Sequence, residues 1–328
     1  MRYWVQLATE QFPPSELVEQ AVEAERAGFD GLNVSEHFQP WWEPGHSGQA
    51  WALLGAIGQA TDAIAVGTGV TAPVHRYHPA VVAQFGATLQ ELFPGRGFLG
   101  IGSGESLNES PAGMDWPDTG EQVRRMEEAL DIIDRLLDGE RVDHEGHFFQ
   151  TKGAYLHTRG SERPPVYVSA FGPDAAGVAA RFGDGLWTLA DPESAPDLIE
   201  IYKSEREAEG KEPGEIILQA GFSWARDDDA ALEGARVWKA TQPEEYFTDD
   251  WHDPRQMYEK AEREVTDEEF KQSYIIGADP ELHVERVREI ERLGATIVCL
   301  QNGSGADPLG ALRTYAEHVL PALKNARV

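Results

Sequence analysis

Short apolar runs alternate with amphipathic helical patterns along almost the whole of this chain. That alternation restricts the available folds more than any other feature. Strand-like runs cover 3–8, 29–35, 64–68, 96–102, 166–170, 185–189, 216–222 and 296–301. Helical patterns cover 15–27, with Ser15 as N-cap and Gly28 at the end, and 48–60, 78–93, 121–137, 281–293 and 308–322. Further helices are expected between the strands from 166 onward. Parallel strands need a long crossover, usually a helix, so repeated strand–helix units predict a parallel sheet. Eight such units predict an α/β fold of the (β/α)8 TIM-barrel type. A doubly wound sheet is the alternative, but no dinucleotide-type glycine fingerprint follows the first strand. Residues 1–328 read as one barrel domain. Two stretches break the rhythm: 141–157 alternates like a β-hairpin, and 242–270 is polar, aromatic and irregular around a helix at 254–262. Both are expected as insertions over the C-terminal face.

The chain has 57 acidic and 28 basic residues, a net charge of −29, and only seven of the basic residues are Lys. Such a field repels nucleic acid and anionic membranes. No apolar run approaches the ~20 residues that span a bilayer. The N-terminus enters a strand directly, without the pattern of a signal peptide, so a cytoplasmic protein is expected. Dispersed acidity with little Lys reads as halophilic adaptation to high intracellular salt, where screening is nearly complete; an ordinary acidic cytosolic enzyme is the alternative. The single cysteine, Cys299, allows neither an internal disulfide nor a cysteine metal cluster.

Ligand sites of parallel barrels lie where strands end, and five strand ends carry unusual residues. Glu10 follows the first strand and can act as acid, base or acceptor; alone, it reads more readily as a solvated loop carboxylate. Glu36 and His37 follow the second, with Trp41 and Trp42 as a flat aromatic wall; His37 is the natural base near neutral pH. Thr68, Gly69, Val70 and Thr71 follow the third, where main chain can approach a flat ring, or simply turn. The glycine-rich run after the fourth carries Ser103, Gly104, Glu105, Ser106 and Asn108. Its N–H groups suit an anion, and Glu105 places a carboxylic acid beside the ligand. Ala170, Phe171 and Gly172 open a helix in the manner of a barrel phosphate site. No metal motif is present, and His144 and His147 in the hairpin are not expected to bind metal.

Together these segments resemble the luciferase-like (β/α)8 superfamily. Within it they are similar to the branch of dehydrogenases that uses the deazaflavin coenzyme F420, which oxidises glucose 6-phosphate or secondary alcohols. The resemblance rests on Glu10-Gln11-Phe12, the run from Ser35 to Trp41, Gln49 to Ala52, Arg76 to Ala80, Phe93 to Arg96, Gly102 to Glu109 and Gly183 to Gly185, in family order along nearly the whole chain. It implies an oxidoreductase and assigns catalytic roles to four residues. His37 takes the hydroxyl proton, Trp41 lies beside the coenzyme, Glu105 is the acid near its ring nitrogen, and Glu10 is a pocket-floor carboxylate. It assigns coenzyme contacts to Glu36, Thr68, Gly69, Val70, Thr71, Ser103, Gly104, Ser106, Asn108, Ala170, Phe171 and Gly172, with a non-prolyl cis peptide at Gly69–Val70. Glu36 stands where the family usually has Asp. A homodimer is also implied. The cations that grip a sugar phosphate in the family fall here near Pro192, Thr248 and Ser273, so a secondary alcohol or uncharged sugar is the expected substrate. Glucose 6-phosphate oxidation, or an FMN-dependent monooxygenase on the same barrel, is the alternative.

Overall fold

The computed structural model describes residues 1–325. Its strands are β1 (Arg2–Leu7), β2 (Gly31–Val34), β3 (Ala65–Thr68), β4 (Gly97–Ile101), β5 (Val142–Glu145), β6 (Gln150–Ala154), β7 (Val166–Ser169), β8 (Gly185–Leu189), β9 (Glu215–Ser223), β10 (Tyr274–Ile276) and β11 (Ile297–Asn302). Eight of them, β1-β2-β3-β4-β7-β8-β9-β11, pair in parallel, and β11 returns to β1. The pairing of β8 with β9 closes the barrel. These are the eight expected strands. The unexpected one is β10, which pairs with the C-terminal end of β9 through Tyr274 and Gly221, beyond the last contact with β8.

Several boundaries follow from proline. The helices Pro14–Ala27, Pro79–Leu92, Pro173–Phe182, Pro254–Glu264, Pro280–Arg292 and Pro308–Thr314 each begin on one. A fixed φ and a missing N–H cost nothing at that position. The first helix is therefore capped by Pro13, not by Ser15 as expected, while Gly28 ends it in a left-handed turn at φ 87°. The closing helix is interrupted by a π-turn at Tyr315–Val319.

The barrel interior is graded. Its N-terminal half is filled by Trp4, Phe98, Tyr167 and Trp187, with Trp4 stacked on Phe98 at 4.6 Å between centroids. Above them lie amides: Trp187 Nε1 donates to Gln219 (2.9 Å), and Asn33 Nδ2 reaches Cys299 Sγ (3.1 Å). Burial pushes the Cys299 thiol up to about 12, so it stays protonated and inert. The carboxylates Glu10 and Glu105 and the imidazole of His37 follow at the C-terminal mouth, where β1, β4 and β2 end.

The two insertions differ in position. The β5–β6 hairpin packs along the flank of the helix Thr119–Leu137. There Glu128 accepts the N–H groups of His147, Phe148 and Phe149, and Arg125 covers the Phe148 ring at 4.5 Å. The second insertion runs between β9 and β10 and reaches the site. Besides the expected helix it contains Asp267–Ser273, closed by a Thr266–Glu269 capping box. An open cleft of about 550 Å³ lined by Arg2, Arg163, Tyr167 and Glu215 lies at the opposite, N-terminal mouth, far from the chemistry described next.

Candidate active site

The ends of β1 and β2 are stitched together by hydroxyls. Thr9 N donates to Ser35 Oγ (3.1 Å), and Ser35 Oγ donates to Glu10 Oε2 (2.6 Å). Glu10 is thus a buried carboxylate, 1% exposed, rather than a solvated one. Its other oxygen lies 3.5 Å from His37 Nε2, and Glu105 Oε2 lies 3.8 Å from the same nitrogen. The Nδ1 atom of His37 is buried without a protein partner. Two of the expected catalytic groups, Glu10 and Glu105, therefore converge on the imidazole nitrogen of a third, His37.

Glu105 arrives from β4. Gly104 turns the chain at φ 88°, a left-handed conformation that favours glycine. Gly102 has a packing reason as well, since a Cβ there would come within 2.7 Å of Val70. The glycine-rich run thus fits against the β3 loop, which accounts for it without an anion. Burial holds the Glu105 carboxyl above the usual range; the nearby Glu10 adds to this, while His37 and Arg76 oppose it. Asn108 joins the two loops: its Oδ1 accepts the Phe38 N–H (2.8 Å) and its Nδ2 donates to Glu105 Oε2 (3.2 Å).

Glu36 points away from this centre. Its carboxylate takes Arg76 Nη2 (2.7 Å) and the Tyr77 hydroxyl (3.2 Å), while Arg76 Nη1 reaches Glu109 at 2.6 Å. One guanidinium thus serves two buried carboxylates, and burial raises the Glu109 carboxyl. Sequence reasoning missed the roles of Ser35, Arg76 and Glu109. Arg76 and Glu109 are 33 residues apart, with no periodicity to link them, although a lone Arg in a tyrosine- and histidine-rich loop was a usable signal.

Main chain forms one side of the site. Gly69–Val70 is a cis peptide, and Gly69 receives Gln6 Nε2 on its carbonyl (3.1 Å) and donates to Val34 O (2.9 Å). Thr68 Oγ1 donates to Gly100 O (3.2 Å), and Trp51 Nε1 donates to Thr71 Oγ1 (3.4 Å). Trp41 packs against His37 at 5.7 Å between centroids and against Phe247 at 5.5 Å. Trp42 instead packs edge-on into Trp238 at 4.9 Å, so the expected two-tryptophan wall is a single ring. The Ser106 hydroxyl is committed to the second insertion, donating to Trp251 O (2.8 Å) and accepting Trp251 N–H (2.9 Å). Ser103 is half-buried beside Gly104. Ala170 is buried and Phe171 is 53% exposed. Gly172 caps the helix Pro173–Phe182 without a side-chain hydrogen bond, leaving its first turn open.

The family model for luciferase-like monooxygenases matches residues 1–296. This chain belongs to that family. Luciferase-like relatives of known name include the F420-dependent glucose-6-phosphate dehydrogenase of Microbacterium testaceum, 36% identical over 332 positions that cover 99% of this chain and 98% of that one. They also include the F420-dependent hydroxymycolic acid dehydrogenase of Mycobacterium tuberculosis, 36% identical, covering 98% of this chain and 88% of that one. Among solved structures, an F420-dependent secondary alcohol dehydrogenase in complex with an F420-acetone adduct superimposes with a TM-score of 0.94, at 31% identity and 98% coverage of both chains. The coenzyme F420 dependent tetrahydromethanopterin reductase of Methanopyrus kandleri, 20% identical with a TM-score of 0.79 and covering 98% of this chain and 99% of that one, shares the fold.

Proposed function

We propose that this luciferase-like chain is a coenzyme F420-dependent dehydrogenase that oxidises an uncharged secondary alcohol or sugar hydroxyl. The observation that carries the reading is the convergence of Glu10, His37 and Glu105 at the C-terminal mouth. A base, its orienting carboxylate and a neutral acid are the groups that hydride and proton removal from a hydroxyl carbon require. The relatives of known name are F420-dependent enzymes, and the residues present fit that coenzyme. The uncapped helix start at Gly172 suits a phosphate, although Asp174 in its first turn does not help. The Gly69–Val70 main chain and Trp41 suit a flat ring. Glu36 is held by Arg76 and Tyr77, so its contribution there is to support the loop.

When bound, the coenzyme supplies a hydride acceptor that neither carries single electrons readily nor activates oxygen. His37 receives the hydroxyl proton, and Glu10, fixed by Ser35, orients the imidazole. Glu105, whose carboxyl burial raises above the ordinary range, is the acid of the pair. Trp41 and the second insertion exclude water from this cluster.

The Microbacterium testaceum relative is named for glucose 6-phosphate. The second insertion argues for a neutral substrate here. Within 242–270 the basic residues Arg255, Lys260 and Arg263 are each paired with a carboxylate, which leaves none of these three free to meet a dianion. A cytoplasmic, halophilic setting accounts for the charge of −29. The helices Ala50–Ala60 and Pro79–Leu92 carry one ionisable side chain between them, Glu91, and expose Val81 and Leu92. Such an uncharged face is where two copies of so acidic a chain could meet as a homodimer.

The test is reduction of oxidised F420 in molar KCl, followed by loss of its visible absorbance, with isopropanol, glucose and glucose 6-phosphate offered separately. Reduction with isopropanol or glucose supports the reading. Reduction with glucose 6-phosphate alone overturns the substrate class, and tight F420 binding without turnover points to catalysis in the reverse direction or on another class.

A further inference from the structure

One aromatic path leads outward from the base. His37 packs on Trp41, Trp41 on Phe247 at 5.5 Å, and Phe247 on Phe171 at 5.7 Å. Phe247 is contributed by the second insertion, whose Tyr246 is buried and donates to Met257 O at 2.8 Å, so this short helical turn is anchored. At its outer end Phe171 is 53% exposed, and Phe38, next to the base, is 55% exposed. Both open phenyl rings lie just beyond strand ends at the C-terminal mouth, where on a chain of charge −29 they offer apolar surface to a substrate.

We propose that Phe247 is a specificity-determining residue. Together with Trp41 and Phe171 it seats an alkyl or aryl substituent of the alcohol, so the preferred substrate is a secondary alcohol bearing a sizeable apolar group. This rests on the reading of the site as an alcohol dehydrogenase. The hydroxyl carbon lies at His37 and its larger substituent runs over the Trp41–Phe247 edge. A sugar phosphate would bring polar surface against these rings and a dianion against the carboxylates of the insertion.

The experiment is kcat/KM with F420 for 2-propanol, 2-butanol, 2-hexanol and 2-octanol, with glucose 6-phosphate in parallel, in molar KCl. In the unmodified protein kcat/KM should climb by about fourfold per added methylene until the seat is filled. Phe247→Ser should flatten that climb, and Phe247→Leu, which keeps an apolar side chain, should retain most of it. Equal slopes in all three proteins, or no slope in the unmodified one, would overturn the proposal while leaving alcohol oxidation intact. A loss of F420 affinity in Phe247→Ser matching its loss of kcat/KM would assign the ring to the coenzyme and overturn it as well. Turnover of none of these alcohols would overturn this inference, and only a failure of glucose as well would remove the parent reading.

Discussion

His37 and Glu105 face each other across 3.8 Å, Nε2 to Oε2, with Asn108 holding that same carboxyl oxygen. A carboxyl raised by burial stays protonated to higher pH than an ordinary one. Activity that needs neutral Glu105 is therefore complete below its raised pKa and falls as pH rises through it. Glu105→Gln keeps a hydrogen-bond donor but cannot titrate. Its kcat should drop by about 10²-fold or more, and the alkaline decline of the kcat profile should vanish. A variant that keeps the same alkaline decline would show that another group sets it.

The Glu36–Arg76–Glu109 cluster makes a stability prediction. Arg76 is the only guanidinium hydrogen-bonded to these two carboxylates among the described residues, and both are buried. Arg76→Ala leaves two uncompensated buried charges, at a cost of about 3–5 kcal/mol. Urea unfolding at neutral pH measures it. A loss below about 1 kcal/mol would mean that the carboxylates protonate or hydrate without difficulty.

The eight barrel strands were legible because a strand buried on both faces reads as a continuous apolar run. β10 was not, since three residues, Tyr274 to Ile276, after a polar helix carry no period. His37, Glu10 and Glu105 were legible as unusual residues at strand ends, and the side-chain geometry adds their convergence on one nitrogen. What sequence could not give was the partner of each polar group. Glu36 reads as a coenzyme contact from its place beside His37, and nothing in the sequence links its carboxylate to Arg76, 40 residues away. The glycines of 100–104 read as a run suited to an anion, and the structure adds a packing reason for Gly102, against which Val70 lies.

His75 is partly buried beside Trp116, and its Nε2 has no protein partner. Burial pushes its pKa down to about 4, with Arg125 adding to the shift and Glu121 opposing it. The unfolded chain binds this proton near 6.5, so the contribution of neutral His75 to stability is complete above that pH and is lost as pH falls towards 4. The slope contributed is at most about 1.4 kcal/mol per pH unit. His75→Phe keeps an aromatic ring and removes the titration. Denaturant unfolding at pH 7, 5.5 and 4.5 should show a shallower acid loss in the variant, and parallel curves would reject the assignment.

Ser106 follows the acid Glu105 directly, yet its hydroxyl holds main chain 145 residues away at Trp251. Removing it leaves a donor and an acceptor of the second insertion without their protein partner, at about 1–3 kcal/mol if water cannot replace it. The segment touches the barrel mouth through few such bonds, so the loss should be local opening rather than global unfolding. Ser106→Ala should speed hydrogen exchange at the Trp251 amide while the strands β1 and β11 keep their protection, and Ser106→Thr should restore much of the difference. If exchange is unchanged but F420 affinity falls, the hydroxyl serves the coenzyme rather than the insertion. The two roles compete for the same oxygen, so one variant with these two readouts separates them.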